Sequence, residues 1–379
     1  MTAVPVVHVC DKFGVAGSSI HGVSRLFSWW FPRYDKGRFD VSLVGLKRPE
    51  PASELLAREG VPVHHLNRGR FDPRILSDLV ALARDRRARI LHVHGYAAAD
   101  FGRLAARRIG AALVLHEHFA DPRMPAYQAW ADRLLARYTD RAIAVSRSTR
   151  DFLVDERFVP AERVRVIWNG APLDEFAHPP AGARESVRRE LGLSPETLAI
   201  GTIGRLSVQK GQRDLLDAAA QVAREFRDVR FVLVGDGDLR PELEAQAAAL
   251  GLGDRVVFAG HRPDIPAVLA AIDVLCISST YEGTPLALFE AMAAGKPIVS
   301  TAVDGCREVL ADELTGLLTP PQDPDRLARA LVRMRRDADL RQRLGAAAAA
   351  ESGRYDIAEC VRRIESLYDE VLAERGAAA

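Results

Sequence analysis

Short runs of β-branched and aliphatic residues alternate along the chain with longer stretches in which apolar residues return every three or four positions. Before residue 169 the runs VPVVHV, FDVSLVGL, VPVHHL, RILHVHG, AALVLHEH, RAIAVS and VRVIW predict strands. PRILSDLVALARDRR and AADFGRLAARRIG, which lie between some of them, have helical spacing. The alternation restarts after residue 184. TLAIGTIG, VRFVLVG, RVVFAG, DVLCISS and PIVSTA predict strands, and QRDLLDAAAQVAREF and ELEAQAAALG predict helices. Strands joined through helices imply parallel sheets covered on both faces. The expected fold is therefore α/β, with two Rossmann-like doubly wound domains. The first spans 1–175, FAHPPAGAR (176–184) is the linker, and the second spans 185–355. Ligands of such sheets bind beyond the strand C-termini, and the cleft between domains is the expected site. In the tail, 356–379, Ile357, Val361, Ile364, Tyr368 and Val371 share one helical face that needs a partner.

Composition changes this picture little. The 379 residues are 48% hydrophobic and 27% charged, and a net charge of +1 gives no argument for nucleic acid. The first half is mildly basic and the second mildly acidic, a bias that suits an anionic partner in the first. Cys10, Cys276, Cys306 and Cys360 form no C-x-x-C pair and read as reduced thiols of a cytoplasmic protein. The start of the chain lacks a signal-peptide pattern, and no apolar run is long enough to span a membrane.

Familiar nucleotide fingerprints fail. GDGD (235–238) lacks the third glycine of a dinucleotide loop, and AGKP (294–297) is not a phosphate-binding P-loop. IGRLSVQKGQ (203–212) instead places Arg205 and Lys210 between Gly204 and Gly211 at a strand-to-helix junction. Two cations beside a helix N-terminus suit a diphosphate, although two solvated loop charges would look the same. In YEGTPLALFEAMAAGKPIVST (281–301), Thr284 is the expected N-cap and Pro285 the first helical residue. Glu282 then stands in the loop and Glu290 inside the helix, with backbone N–H groups between them. That arrangement fits a nucleotide-sugar, its phosphates at the helix start and a sugar on each carboxylate. The plainer alternative is a capping acid and an exposed helix residue.

Taken together, GRLSVQKG, VGDG, DVLCISSTYEGTPLALFEAMAAGKPIVST and GLLTPPQDPDRLARAL resemble glycosyltransferase family 4, retaining nucleotide-sugar enzymes of the GT-B fold. ILHVHG, VLHEHF, AVSRSTRDFL and VRVIWNGAPLDEF are similar to that family's first domain, so the resemblance covers nearly the whole chain. It implies an acceptor-binding first domain, a donor-binding second domain, and a tail helix that crosses back to the first. Arg205 and Lys210 would hold the donor diphosphate, Glu290 the ribose, and Glu282 with Gly283, Thr284, Pro285 and Leu286 the donor sugar. GHRPDIP (260–266), including Arg262, would line the base. KFGVAGSS (12–19), with Gly14, Gly17 and Ser18, would approach diphosphate and acceptor, with His94 and His118 near the reacting sugar. His118, Arg205, Lys210 and Glu282 are the implied catalytic set. Many members have Pro before the Ser that precedes the two acids, where this chain has ISS (277–279).

The implied reaction is hexose transfer from a nucleotide-diphosphate sugar to an acceptor hydroxyl, in cell-envelope or exopolysaccharide assembly. It calls for no metal or other cofactor, because two cations and a helix N-terminus would stabilise the leaving phosphate. The expected partners are the donor and a glycan or lipid-linked glycan, with peripheral contact at the inner face of the cell membrane open. Three rivals stand beside this reading: a GT-B sugar-nucleotide epimerase, a non-catalytic sugar-nucleotide binder, and a metal-dependent hydrolase built on HVH (92–94) and HEH (116–118). The last lacks a recognisable order of further ligands. HGVSRLFSWWFPRYDKGR (21–38) reads as a helix packed on its own sheet or, less simply, as a basic aromatic helix at a membrane surface.

Overall fold

The computed structural model describes residues 3–14 and 22–377. Two compact units divide the chain. One holds the described residues up to Asn169 together with the Ile357–Ala377 helix, and the other runs Gly170–Asp356.

The first unit is built on seven strands: β1 Val4–Cys10, β2 Phe39–Gly45, β3 Val63–His65, β4 Ile90–His94, β5 Ala112–Glu117, β6 Arg141–Ala144 and β7 Val164–Val166. They form one parallel sheet in the order β3-β2-β1-β4-β5-β6-β7. Strands β4 and β5 are buried along their whole length, as crossover helices on both faces require. Alternation gives the two faces of the central strands different chemistry. Val7, Val9, Leu91, Val93, Leu113 and Leu115 point into an aliphatic core, while His8, His92, His94 and His116 occupy the alternate positions.

The second unit has six strands: β8 Leu198–Ile203, β9 Val229–Val234, β10 Val256–Gly260, β11 Val274–Ile277, β12 Ile298–Thr301 and β13 Leu317–Thr319. Its parallel sheet runs β10-β9-β8-β11-β12-β13. The order reverses at β8, so the loops after β8 and β11 flank the switch point where such sheets bind ligands.

The pattern-based expectations need three corrections. Strand β13 was not anticipated, since its Leu-Leu-Thr stands between Gly316 and Pro320 with no β-branched aliphatic residue to mark it. The unit boundary falls at Asn169/Gly170 rather than at 176–184. That Pro/Gly/Ala stretch lies inside the second unit, between short helices at Leu173–Ala177 and Ala183–Glu190, and Phe176 and Ala183 are buried. Thr284 is not the N-cap: Pro285, with extended backbone, takes that place and the helix runs Leu286–Ala293. The tail face did find its partner. Ile357, Val361, Ile364, Tyr368 and Val371 are all buried, and the helix is pinned to the first unit by Glu365 at the N–H of Asp35 (2.7 Å) and by Arg375 at Asp140 (2.9 Å). The membrane reading of 21–38 fails on burial, because Leu26, Phe27, Trp29, Trp30 and Phe31 are all inside. Among the described residues no helix is long and apolar enough to cross a membrane.

Candidate functional site

In the second unit the two loops at the switch point meet. After β8 the chain turns through Gly204, Arg205 and a short 3₁₀ turn, Val208–Lys210, before the Gln212–Glu225 helix begins. Gly211 at this junction has φ +61°, and a Cβ there would lie 2.0 Å from the carbonyl oxygen of Ser278, in the loop after β11. The glycine is needed for backbone reasons, and it lets the two loops touch. The GDGD segment, no dinucleotide fingerprint, packs against the same loop from the other side. A Cβ on Gly235 (φ +134°) would stand 2.0 Å from the Gly204 carbonyl oxygen.

That contact brings Lys210 onto Glu282. Its Nζ lies 2.5 Å from Glu282 Oε1, which also accepts from Ser279 Oγ at 2.6 Å. Ser278 Oγ donates to the Lys210 carbonyl at 2.9 Å, and Gln209 Nε2 to the Tyr281 carbonyl at 3.3 Å. The ISS departure therefore supplies, through Ser278, a hydroxyl that ties the two loops together, while Ser279 braces Glu282 within its own loop; residue types alone did not reveal these contacts. Glu282 is buried and fixed; the ammonium keeps further N–H donors beyond the one this carboxylate takes.

Gly283, Thr284 and Pro285 are buried in the turn that follows, and Leu286 is half-buried. No side chain caps the Leu286–Ala293 helix, so its first N–H groups rely on other acceptors and concentrate partial positive charge there. Glu290 lies one turn inside this helix and is fully buried, which removes the reading of it as an exposed helix residue. Thr202, Lys210, Ser278, Ser279 and Pro285 line a small pocket at this place. Arg205 is half-buried in the same loop. Arg262 is committed elsewhere: its guanidinium pairs with Asp264 (2.7 Å) and with Glu190. The Arg262 side chain is thus already engaged within this unit.

In the first unit, Gly14 gives its N–H to Glu50 Oε2 at 3.0 Å, as does Phe13 at 2.6 Å; Gly17 and Ser18 lie outside the described residues. His94 ends β4 and His118 follows β5, with His94 Nδ1 and His118 Nε2 3.0 Å apart. Behind them runs a chain of rings. His94 Nε2 meets His8 Nδ1 at 3.1 Å, and His8 Nε2 meets the hydroxyls of Tyr368 (3.2 Å) and Tyr34 (3.3 Å). Tyr368 reaches His92 Nδ1 at 2.5 Å, and His92 Nε2 meets His116 Nδ1 at 3.2 Å. Burial holds all four inner imidazoles neutral: His8 is lowered to about 3, and His92, His94 and His116 lie well below the usual range. Each neutral ring gives one N–H and accepts one, so the contacts from His118 through His116 Nδ1 can all be made with the protons running one way.

His8, His92 and His94, and likewise His94, His116 and His118, have ring nitrogens within 4.8 Å of one another, close enough to hold a cation. The set offers imidazoles only, and hydrogen bonds between rings already engage the His8–His94, His94–His118 and His92–His116 pairs. His8, Tyr34 and Tyr368 were not anticipated. The run VPVVHV places His8 on a strand, but its register with His92 appears only in the sheet, and the tail pattern shows Tyr368 as one residue of an apolar helical face, not as a partner of imidazoles.

The fold and the paired loops define a class: a GT-B glycosyltransferase. The model of the family "Glycosyl transferases group 1" matches residues 183–351, and that of "Glycosyltransferase Family 4" matches 31–175. The chain is 31% identical over 310 residues to a D-inositol 3-phosphate glycosyltransferase of Xylanimonas cellulosilytica, covering 76% of this chain and 73% of that one. It is 27% identical to the Escherichia coli UDP-Gal:alpha-D-GlcNAc-diphosphoundecaprenol alpha-1,3-galactosyltransferase, over 94% of this chain and 95% of that one. Among solved structures, Alr3699/HepE of Anabaena in complex with UDP superposes with a TM-score of 0.85 at 25% identity, over 97% of this chain and all of that one. The chain belongs to the group 1, family 4 glycosyltransferases.

Proposed function

We propose that the protein is a retaining hexosyltransferase that uses a nucleotide-diphosphate sugar and no divalent metal, and that builds a cell-envelope or exopolysaccharide glycan. The observation that carries this reading is the Lys210–Glu282 pair, braced by Ser279 beside an uncapped helix that buries Glu290. In this reading the diphosphate lies at the start of the Leu286–Ala293 helix, drawn by Arg205 and by the remaining donors of Lys210. As the sugar–phosphate bond breaks, charge grows on the phosphate oxygens, and fixed cations and N–H groups stabilise that state more than the ground state. Glu282 and the N–H groups that follow it orient the hexose, and Glu290 takes the ribose hydroxyls. His118, backed by His94, stands on the acceptor side with Gly14. The UDP bound to the Anabaena protein and the UDP-Gal named for the Escherichia coli relative support a uridine donor, and the latter's diphosphoundecaprenol substrate supports a lipid-linked acceptor.

Incubation with a panel of nucleotide sugars and with polyprenyl-diphosphate and free-sugar acceptors, in the presence of EDTA, tests this reading. The expected product keeps the donor's anomeric configuration by NMR. An inverted product refutes retention, and activity that EDTA abolishes and a metal restores refutes metal independence. An isomerised donor with no transfer assigns the chain to the epimerases.

A further inference from the structure

The Ala126–Leu135 helix of the first unit is inside out. Its inward side chains are polar. Asp132 is buried between Arg157 (2.9 and 3.0 Å) and Arg103, and Gln128 bridges Asp132 (3.2 Å) and Asp100 (3.1 Å). Its outward stripe is apolar: Tyr127, Trp130 and Leu134, spaced three and four apart, are 44%, 70% and 62% exposed. Phe71, 71% exposed, extends the stripe with its ring 5.7 Å from that of Tyr127, and Arg70 lies over both rings at 5.4 and 5.7 Å. Apolar surface of this size gathered in one place marks a contact face. The other exposed side chains from 122 to 137 are Pro122, Arg123, Ala126, Arg133 and Arg137, with no carboxylate among them. Asp72, beside Phe71, is occupied by Arg74 at 2.7 Å.

We propose that this face docks on an anionic lipid bilayer. The helix lies in the plane of the interface, with Trp130, Tyr127, Leu134 and Phe71 at the headgroup–acyl boundary and Arg123, Arg133 and Arg137 on anionic headgroups. Three features single out this occupant. Trp and Tyr have the amphipathic rings that settle at membrane interfaces. The exposed charged side chains of 122–137 are all arginines, so this helix complements a negative surface. A second copy of the face would instead set arginine against arginine, a like-charge contact. The polar network beneath explains how the fold tolerates this: paired arginines and carboxylates hold the helix in place, so its apolar side is not needed for the core. The surface is a different one from residues 21–38, whose apolar groups are buried. It stands independently of the transferase reading, because vesicle binding requires neither donor nor acceptor.

Flotation of the full chain with phosphatidylglycerol-containing vesicles, and with pure phosphatidylcholine vesicles, at low salt tests the proposal. Wild type is expected to float with the anionic vesicles only and to be released by high salt. The double variants Trp130→Ser/Leu134→Ser and Arg133→Glu/Arg137→Glu are each expected to lower the bound fraction about tenfold or more. Unchanged melting temperatures confirm that these surface changes leave the fold intact. As a conservative check, brominated lipid should quench wild-type tryptophan emission, and Trp130→Phe should lose that quenching. Absence of flotation with anionic vesicles, or flotation and quenching indifferent to the substitutions, overturns the proposal. So does a concentration-dependent dimer that Trp130→Ser/Leu134→Ser dissociates, which would assign the face to a second copy.

Discussion

Lys210 and Glu282 meet although 72 positions separate them, and the proposed chemistry depends on that meeting. Replacing Lys210 with Ala removes a donor aimed at the leaving phosphate. It should lower kcat by about 2–4 kcal/mol of transition-state stabilisation, read as turnover at saturating donor; an unchanged kcat would remove Lys210 from the mechanism. Gly211 contributes through its backbone. Gly211→Ala puts a methyl onto the Ser278 carbonyl at a positive φ, so the loops must part. A loss of roughly 1–3 kcal/mol of stability, with weaker nucleotide binding, is expected in a paired melting and titration experiment. Both acids and both cations were legible as candidates because their residue types and spacing survive in one dimension. The bonds from Ser278, Ser279 and Gln209 were not, since any loop could have carried them.

Among the elements, the strands of both sheets were readable from their apolar runs, apart from the three-residue β13. The helix at Ala126–Leu135 shows why pattern reading fails in places. Its buried side is ionic, so apolar periodicity points the wrong way, and Asp132, Arg103 and Arg157 come from segments with no sequence link. Asp132→Ala leaves two buried guanidinium groups short of a partner and should cost about 3–5 kcal/mol. Denaturant unfolding measures this, and a cost below about 1 kcal/mol would show the network to be dispensable. The linker was misplaced for a related reason: prolines and glycines in 176–184 mark turns between short helices, not a domain boundary.

At the scale of the whole molecule, the imidazole face of the first sheet sets a pH response. Above pH about 6.5 the histidines are neutral folded and unfolded alike. Below it the unfolded chain takes up protons that buried His8, His92, His94 and His116 refuse, so stability falls as pH drops toward the folded values, about 3 for His8. Each such histidine contributes roughly 1.4 kcal/mol per pH unit within that window. The melting temperature should therefore decline steadily from pH 7 to pH 5; a flat profile would mean that the rings are already charged or are exposed. The central claim is that the second unit carries a nucleotide-diphosphate site formed by Lys210, Glu282 and Glu290. Calorimetric titration of UDP, GDP, ADP, dTDP and CDP without divalent cation, into wild type, Lys210→Ala and Glu290→Gln, tests it most directly. One nucleotide should bind wild type, and each substitution should weaken it by about 1–3 kcal/mol. Binding of none of the five, or equal affinity in all three proteins, would contradict the account.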